Sequence, residues 1–364
     1  MIKHRDVILL GAYGYTGRLV AQCLKEMGIV FNIAGKDINK LDNLKNELGL
    51  ESKTYVFDSH KPQSLPLNCQ KNTMLLNCIG PFEEFSKTLV KYVTENGYFY
   101  LDICGELNFI KYSFENLHRN AAISKALLIH SCSFESFFTD LMAAKICNKK
   151  TKYNFINTFY SFEKAIPSPG TKLTMRLSNL HPILSYENSR FIEKRLGILP
   201  KIPFTINKEG YSAAYVPYPE IFFFANTYKT ENAGSYYIID KTKAQFFEEA
   251  RKQNNNSVEK ILLKHKKRQG FIPSKEHRAK HRFQITVHSQ KTTGSNCLIQ
   301  LSGKDPYGLT AAILAWSCKN ILNLKNIFSG VQSPANVFTL DNFLNNSSIV
   351  DKFKLHCTVQ KNIE

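Results

Sequence analysis

No C-x-x-C pair occurs in the 364 residues, and no apolar run approaches the ~18 residues that a membrane-spanning helix requires. The first absence excludes zinc-ribbon and thioredoxin-type motifs, and the second argues against an integral membrane protein. With 18 glycines and 13 prolines, the chain has too little of either for a collagen-like or low-complexity architecture. Acids are also sparse. The 30 Asp and Glu face 48 Lys and Arg, a net charge of +18 that would suit nucleic acid, an anionic membrane surface or phosphate-bearing small molecules. The nine cysteines, at 23, 69, 78, 104, 132, 147, 297, 318 and 357, are scattered, odd in number and often set in apolar runs. They read as free, buried thiols in a reducing compartment. The N-terminal apolar stretch, Val7–Leu10, is too short for a secretory signal, so a cytoplasmic setting is expected.

What is present is a rhythm. Strand-like Val7–Leu10, Val30–Ala34, Thr54–Phe57, Thr73–Ile79, Tyr98–Ile103 and Ala126–His130 alternate with stretches of helical spacing at Arg18–Met27, Leu41–Leu48, Phe85–Glu95 and Ile110–Ser124. Strand, helix, parallel strand is the signature of an α/β fold with a doubly wound parallel sheet. After about residue 150 the pattern changes. Asn154–Phe162, Tyr236–Ile239, Phe283–Ser289 and Asn296–Ser302 predict a second, mixed α/β domain with a mostly antiparallel sheet, interrupted by loops at Pro167–Gly170, Pro200–Pro203 and Val216–Pro219. Phe246–Leu263 and Tyr307–Leu322 have helical character. The expected division is a nucleotide-binding domain over 1–132, a substrate or dimerisation domain over 133–305 and a C-terminal extension over 325–364. The helix near 306–324 is expected to pack back on the first domain.

The strongest local signal is Gly11-Ala12-Tyr13-Gly14-Tyr15-Thr16-Gly17, directly after a strand and before a helix. Glycines let the turn bend tightly and approach a pyrophosphate, to which the helix offers free N–H groups and its positive end. The G-x-x-G-x-x-G spacing is a variant of the dinucleotide fingerprint. At the end of the second strand Lys36 precedes Asp37; a cation there suits a 2′-phosphate, so NADP is preferred over NAD, with Asp37 as a helix cap. Arg18 is a second cation expected near the cofactor. Asp58, ending the third strand, is expected to touch the adenine, and Asn77, Gly80, Pro81 and Phe82, ending the fourth, the nicotinamide half.

These residues resemble the saccharopine dehydrogenase-like oxidoreductases, nearest their branch of trans-acting enoyl reductases. The resemblance rests on the glycine loop with Arg18-Leu19-Val20-Ala21, on Asn77–Phe82, on Tyr100-Leu101-Asp102-Ile103-Cys104-Gly105-Glu106 and on Phe134–Leu141. It continues through Ser168–Thr171, Pro273-Ser274…Arg278, Asp305–Gly308 and Gly330…Ala335, in order over about residues 5–340. It implies a Rossmann domain, a second α/β domain and NADP-linked reduction of a C=C or C=N bond in an acyl or otherwise anionic substrate. Three positions depart from the family's pattern: Ser133 and Pro169 stand where it has glycine, and Phe138 where it has proline. These departures keep a second reading open, a catalytically weak or inactive NADPH-binding sensor or scaffold.

Hydride chemistry needs a group that supplies or removes a proton. Asp102 and Glu106 follow the fifth strand at the carboxyl edge of the sheet, and Asp140 follows the sixth, so these three are the catalytic candidates, with helix capping as the competing role. Tyr307, in the Asp-Pro-Tyr-Gly turn, is a fourth proton source to weigh. Between Lys260 and Arg282 nine Lys or Arg stand against one acid, Glu276. Only Phe271 could stack on a base there, which disfavours nucleic acid. His277 and His281 lack a Cys or acidic partner, so no metal site is expected. The stretch reads as a solvated face or a surface for an anionic partner: a small-molecule, coenzyme-A-linked or acyl-carrier-linked substrate, or an anionic membrane surface. A homodimer fits the second domain.

Overall fold

The structure, a computed structural model, describes residues 6–65, 73–178, 182–194, 211–240, 271–324 and 328–363. In chain order the first elements are β1 (Val7–Leu10), α1 (Tyr15–Glu26), β2 (Asn32–Gly35), α2 (Ile38–Leu48), β3 (Thr54–Val56), β4 (Met74–Asn77), α3 (Phe82–Phe85) and α4 (Lys87–Asn96). Next come β5 (Phe99–Asp102), α5 (Leu107–Ser124), β6 (Leu127–Ile129), α6 (Phe134–Ile146), β7 (Lys152–Glu163), α7 (Pro169–Ser178), β8 (Ile183–Glu187), β9 (Arg190–Lys194) and β10 (Tyr211–Tyr215). Then follow α8 (Glu220–Thr227), β11 (Lys229–Asp240), α9 (Lys275–Lys280), β12 (Arg282–Lys291), β13 (Asn296–Lys304) and α10 (Pro306–Asn323). The chain closes with β14 (Gly330–Gln332), α11 (Pro334–Val337), α12 (Leu340–Leu344), α13 (Ser347–Phe353) and β15 (His356–Ile363).

Two compact units divide it, one of residues 1–137 with 307–337, the other of 138–306 with 338–364. In the first, all strands are parallel, in the order β14-β6-β5-β4-β1-β2-β3. The 3-2-1-4-5-6 order is that of a Rossmann sheet, extended by β14 beside β6. Strands β1, β4, β5 and β6 are buried at every position. Parallel strands covered on both faces read as continuous apolar runs, which is why their existence was legible. The expected single helix Phe85–Glu95 is two, because Ser86 turns inward and its Oγ accepts a bond from Asn77 Nδ2 at 2.9 Å.

The second unit is a mixed sheet ordered β15-β13-β12-β7-β11-β8-β9, with β10 also on β11. It is antiparallel except for the long β7–β11 pair. The loop expected over Pro167–Gly170 ends early, since Pro169 opens α7, where a missing N–H costs nothing. Phe246–Leu263 and Pro200–Pro203 lie outside the described residues, as do Lys260–Gly270 of the basic run. Among the described residues no helix is long and apolar enough to cross a membrane.

Candidate functional site

The glycine loop joins β1 to α1 at the carboxyl edge of the parallel sheet, and sterics demand its glycines. A Cβ on Gly17 would stand 2.2 Å from the carbonyl oxygen of Gly11, and one on Gly11, whose φ is +70°, would meet Ile79 at 2.8 Å. Gly14 is the N-cap of α1; no side chain caps it, and the first turn carries no acid. A helix start that no side chain caps, behind a glycine cradle, fits a pyrophosphate. Tyr13 folds across the end of β2: its hydroxyl accepts from Lys36 N–H at 3.2 Å, and its ring fills the space where a Cβ on Gly35 would lie, 2.5 Å away. The Tyr15 ring meets Tyr307 edge-on with centroids 5.1 Å apart, which places both residues at the loop's flank.

Lys36 stands where the 2′-phosphate cation was expected, exposed, its Nζ 3.3 Å from Asp58 Oδ1. The His60 N–H donated to Asp58, with the Lys36 ammonium beside it, holds that carboxyl below its ordinary value. Asp37 caps α2, accepting from Lys40 N–H at 3.2 Å. Arg18 pairs with Glu47.

The turns after β4, β5 and β6 are knitted together by buried polar groups. Asn77 donates to Ser86 Oγ and Tyr100 Oη, both at 2.9 Å, and accepts from Ile79 N–H. Asp102 is fully buried. Its Oδ1 accepts from Cys104 N–H at 3.0 Å and Ser131 N–H at 2.8 Å, and its Oδ2 lies 2.7 Å from His130 Nδ1. His130 Nε2 in turn lies 2.7 Å from Ser113 Oγ, which completes a sealed Asp–His–Ser relay. Glu106 accepts from Phe82 N–H at 2.7 Å and Glu83 N–H at 2.9 Å, so it holds the start of α3, the segment after Gly80-Pro81. Burial pushes its carboxyl up to about 7 against the pull of those two N–H groups.

Asp102, Glu106, Asn77, Gly80, Pro81 and Phe82 are thus brought together at one sheet edge. Asp140 belongs to the second unit, on α6, buried, where its charge adds to the burial that raises the Tyr228 phenol. Sequence reasoning missed His130 and Ser113. The polar residue closing the apolar run Leu127–Ile129 was a visible signal for His130; Ser113, 17 residues away mid-helix, had none.

Comparison with known proteins agrees with this geometry. The saccharopine dehydrogenase NADP-binding domain matches residues 7–165. A trans-acting enoyl reductase of Mycobacterium leprae is 30% identical over 141 residues, 37% of this chain and 34% of that protein. A putative trans-acting enoyl reductase of Mycobacterium tuberculosis is 28% identical over the same extent. The chain therefore spans about a third of the length of these relatives. Apo saccharopine dehydrogenase (L-Glu forming) from Saccharomyces cerevisiae shares the fold, with a TM-score of 0.61 over 98% of this chain and 100% of that one, at 10% identity. With the glycine cradle, the uncapped α1 and the 3-2-1-4-5-6 sheet already in place, residues 7–165 match the saccharopine dehydrogenase NADP-binding domain, and that match makes NADP the cofactor of this unit.

Proposed function

We propose that the protein is an NADP-dependent oxidoreductase that reduces a C=C or C=N bond in an acyl or otherwise anionic substrate. The observation that carries the reading is the glycine cradle at the start of α1, which no side chain caps, with Lys36 at the end of β2. In this reading Gly11, Gly14, Gly17 and the α1 N–H groups bind the pyrophosphate, Lys36 meets the 2′-phosphate, and Asp58 lies by the adenosine. The bound nicotinamide supplies the hydride. Glu106 is the carboxylate suited to hold or release a proton near neutrality, because burial sets it to about 7. Asp102 acts as a positioning residue: both its oxygens are taken by Cys104, Ser131 and His130. The C=C alternative is supported by the enoyl reductase names of the relatives.

The sealing of Asp102 also favours the second reading, an NADPH sensor or scaffold without turnover. NADPH fluorescence titration followed by single-turnover oxidation against enoyl thioesters tests both. The reductase requires micromolar NADPH binding and substrate-dependent oxidation. Binding without oxidation on any thioester or imine favours the sensor, and no binding removes both.

A further inference from the structure

We propose that the second unit carries a binding site for a phosphate group, built on the end of its sheet where β7, β12, β13 and the turn before β15 meet. The register sets it out. Glu163 pairs with Arg282 and Arg282 with Lys304, so the three side chains share one face in a row across the strands. Ser302 pairs with His356, and Lys354, the left-handed residue that ends α13 two positions before β15, lines the same cavity as Lys304. Ser161, Gln284 and Ser302 form the row behind it on the same face, two residues along each strand. Both rows line one cavity of about 320 Å³.

Three cations around one cavity, two of them, Arg282 and Lys304, directly opposite on neighbouring strands, are an unfavourable arrangement, since like charges so placed repel. Among the described residues none of Arg282, Lys304 and Lys354 forms an ion pair, and Glu163 is the one acid in the lining. The Arg282 guanidinium is held by Nη1 donating to Ala279 O at 2.6 Å, which orients the group before any ligand arrives. Three positive charges against one negative leave two in excess, matching the roughly −1.5 to −2 of a phosphate monoester near pH 7 rather than the single charge of a carboxylate. The hydroxyls of Ser161 and Ser302 and the amide of Gln284 supply neutral donors behind the charges. The volume is at the low end for a ligand pocket, which suits a terminal phosphate and its attachment and not a whole dinucleotide. All the lining residues belong to the second unit, and the glycine cradle belongs to the first.

The test is calorimetric titration of the full chain, saturated with NADPH, with inorganic phosphate and separately with coenzyme A at fixed ionic strength. The comparison protein is the double variant Lys304→Gln, Lys354→Gln, with Ser161→Ala as a milder change. Binding of either probe should weaken about tenfold or more in the double variant and a few-fold in Ser161→Ala. Coenzyme A binding more tightly than phosphate points to a phosphate on a carrier; equal binding points to a free phosphate. Wild-type binding by the double variant, or no binding of either probe at millimolar concentration to a folded wild-type chain, overturns the proposal. If NADPH itself fails to bind, the cofactor reading falls, while the same titration of the apo chain still decides this one.

Discussion

At the scale of single residues, the nucleotide loop is governed by distances a methyl group would violate. Gly17→Ala puts a carbon 2.2 Å from the Gly11 carbonyl oxygen, so either the loop or α1 must shift. The expected outcome is NADPH affinity reduced at least about tenfold, measured by fluorescence titration; affinity within twofold of wild type would contradict the steric account. Glu106 makes a prediction about pH. Its folded carboxyl keeps its proton up to about pH 7, whereas the ordinary carboxyl releases it near 4.5. The folded state therefore binds more protons across that window, and Glu106's contribution to stability falls as pH rises through it. In Glu106→Gln that contribution is absent, so the melting temperature between pH 5 and 7.5 should fall less than in wild type. Parallel melting curves for the two proteins would refute the shifted carboxyl.

At the scale of elements, what matters is that three successive strand ends are tied to one another by side chains. Asp102 links the turn after β5 to the turn after β6, and Glu106 links the β5 turn to α3. Asp102→Asn can keep its carbonyl on the two N–H groups and offer its amide to His130 Nδ1, provided His130 changes tautomer and donates from Nε2 to Ser113. The expected loss is about 1–2 kcal/mol for Asp102→Asn and about 3 kcal/mol or more for Asp102→Ala, which leaves buried donors unmet. Denaturant unfolding checks this, and equal losses in the two variants would rule out the tautomer exchange. The αL conformation of Ser131, φ +62°, is held in this knot by its N–H bond to Asp102.

At the scale of the whole molecule, the first unit is discontinuous. It is completed by residues 307–337, which supply most of α10 and the strand β14 paired with β6. Trp316 of α10 packs edge-on against Phe137, and Leu309, Ile313, Leu314 and Ile321 are buried. A chain truncated after Pro306 loses this packing while keeping the glycine loop and Lys36. Its expected behaviour is loss of NADPH binding and of cooperative melting, read by titration and circular dichroism; a truncated chain that binds NADPH normally would show the unit to be complete without β14. The excess charge also takes a place at this scale. It first suggested nucleic acid as one partner among several, yet in the described part of the second unit three of its cations line a single cavity, with one acid.

The apolar runs and the glycine spacing by themselves determined the Rossmann order of elements, the glycine loop, Lys36 and Asp37 at the end of β2, and the carboxylates after β5. Each of these is a local matter: a buried parallel strand must be continuously apolar, a tight turn must be glycine, and a cap must sit one residue before its helix. Only the tertiary structure decided that Arg18 belongs to Glu47, that Asp102 is closed in by His130 and Ser113, and that Glu106 holds α3. Nor could the row Glu163–Arg282–Lys304 be seen along the chain, because Glu163 lies more than a hundred residues before the other two until strand register sets them in line. Pairing partners far apart in sequence are chosen by packing and register, and periodicity within one segment carries no record of them.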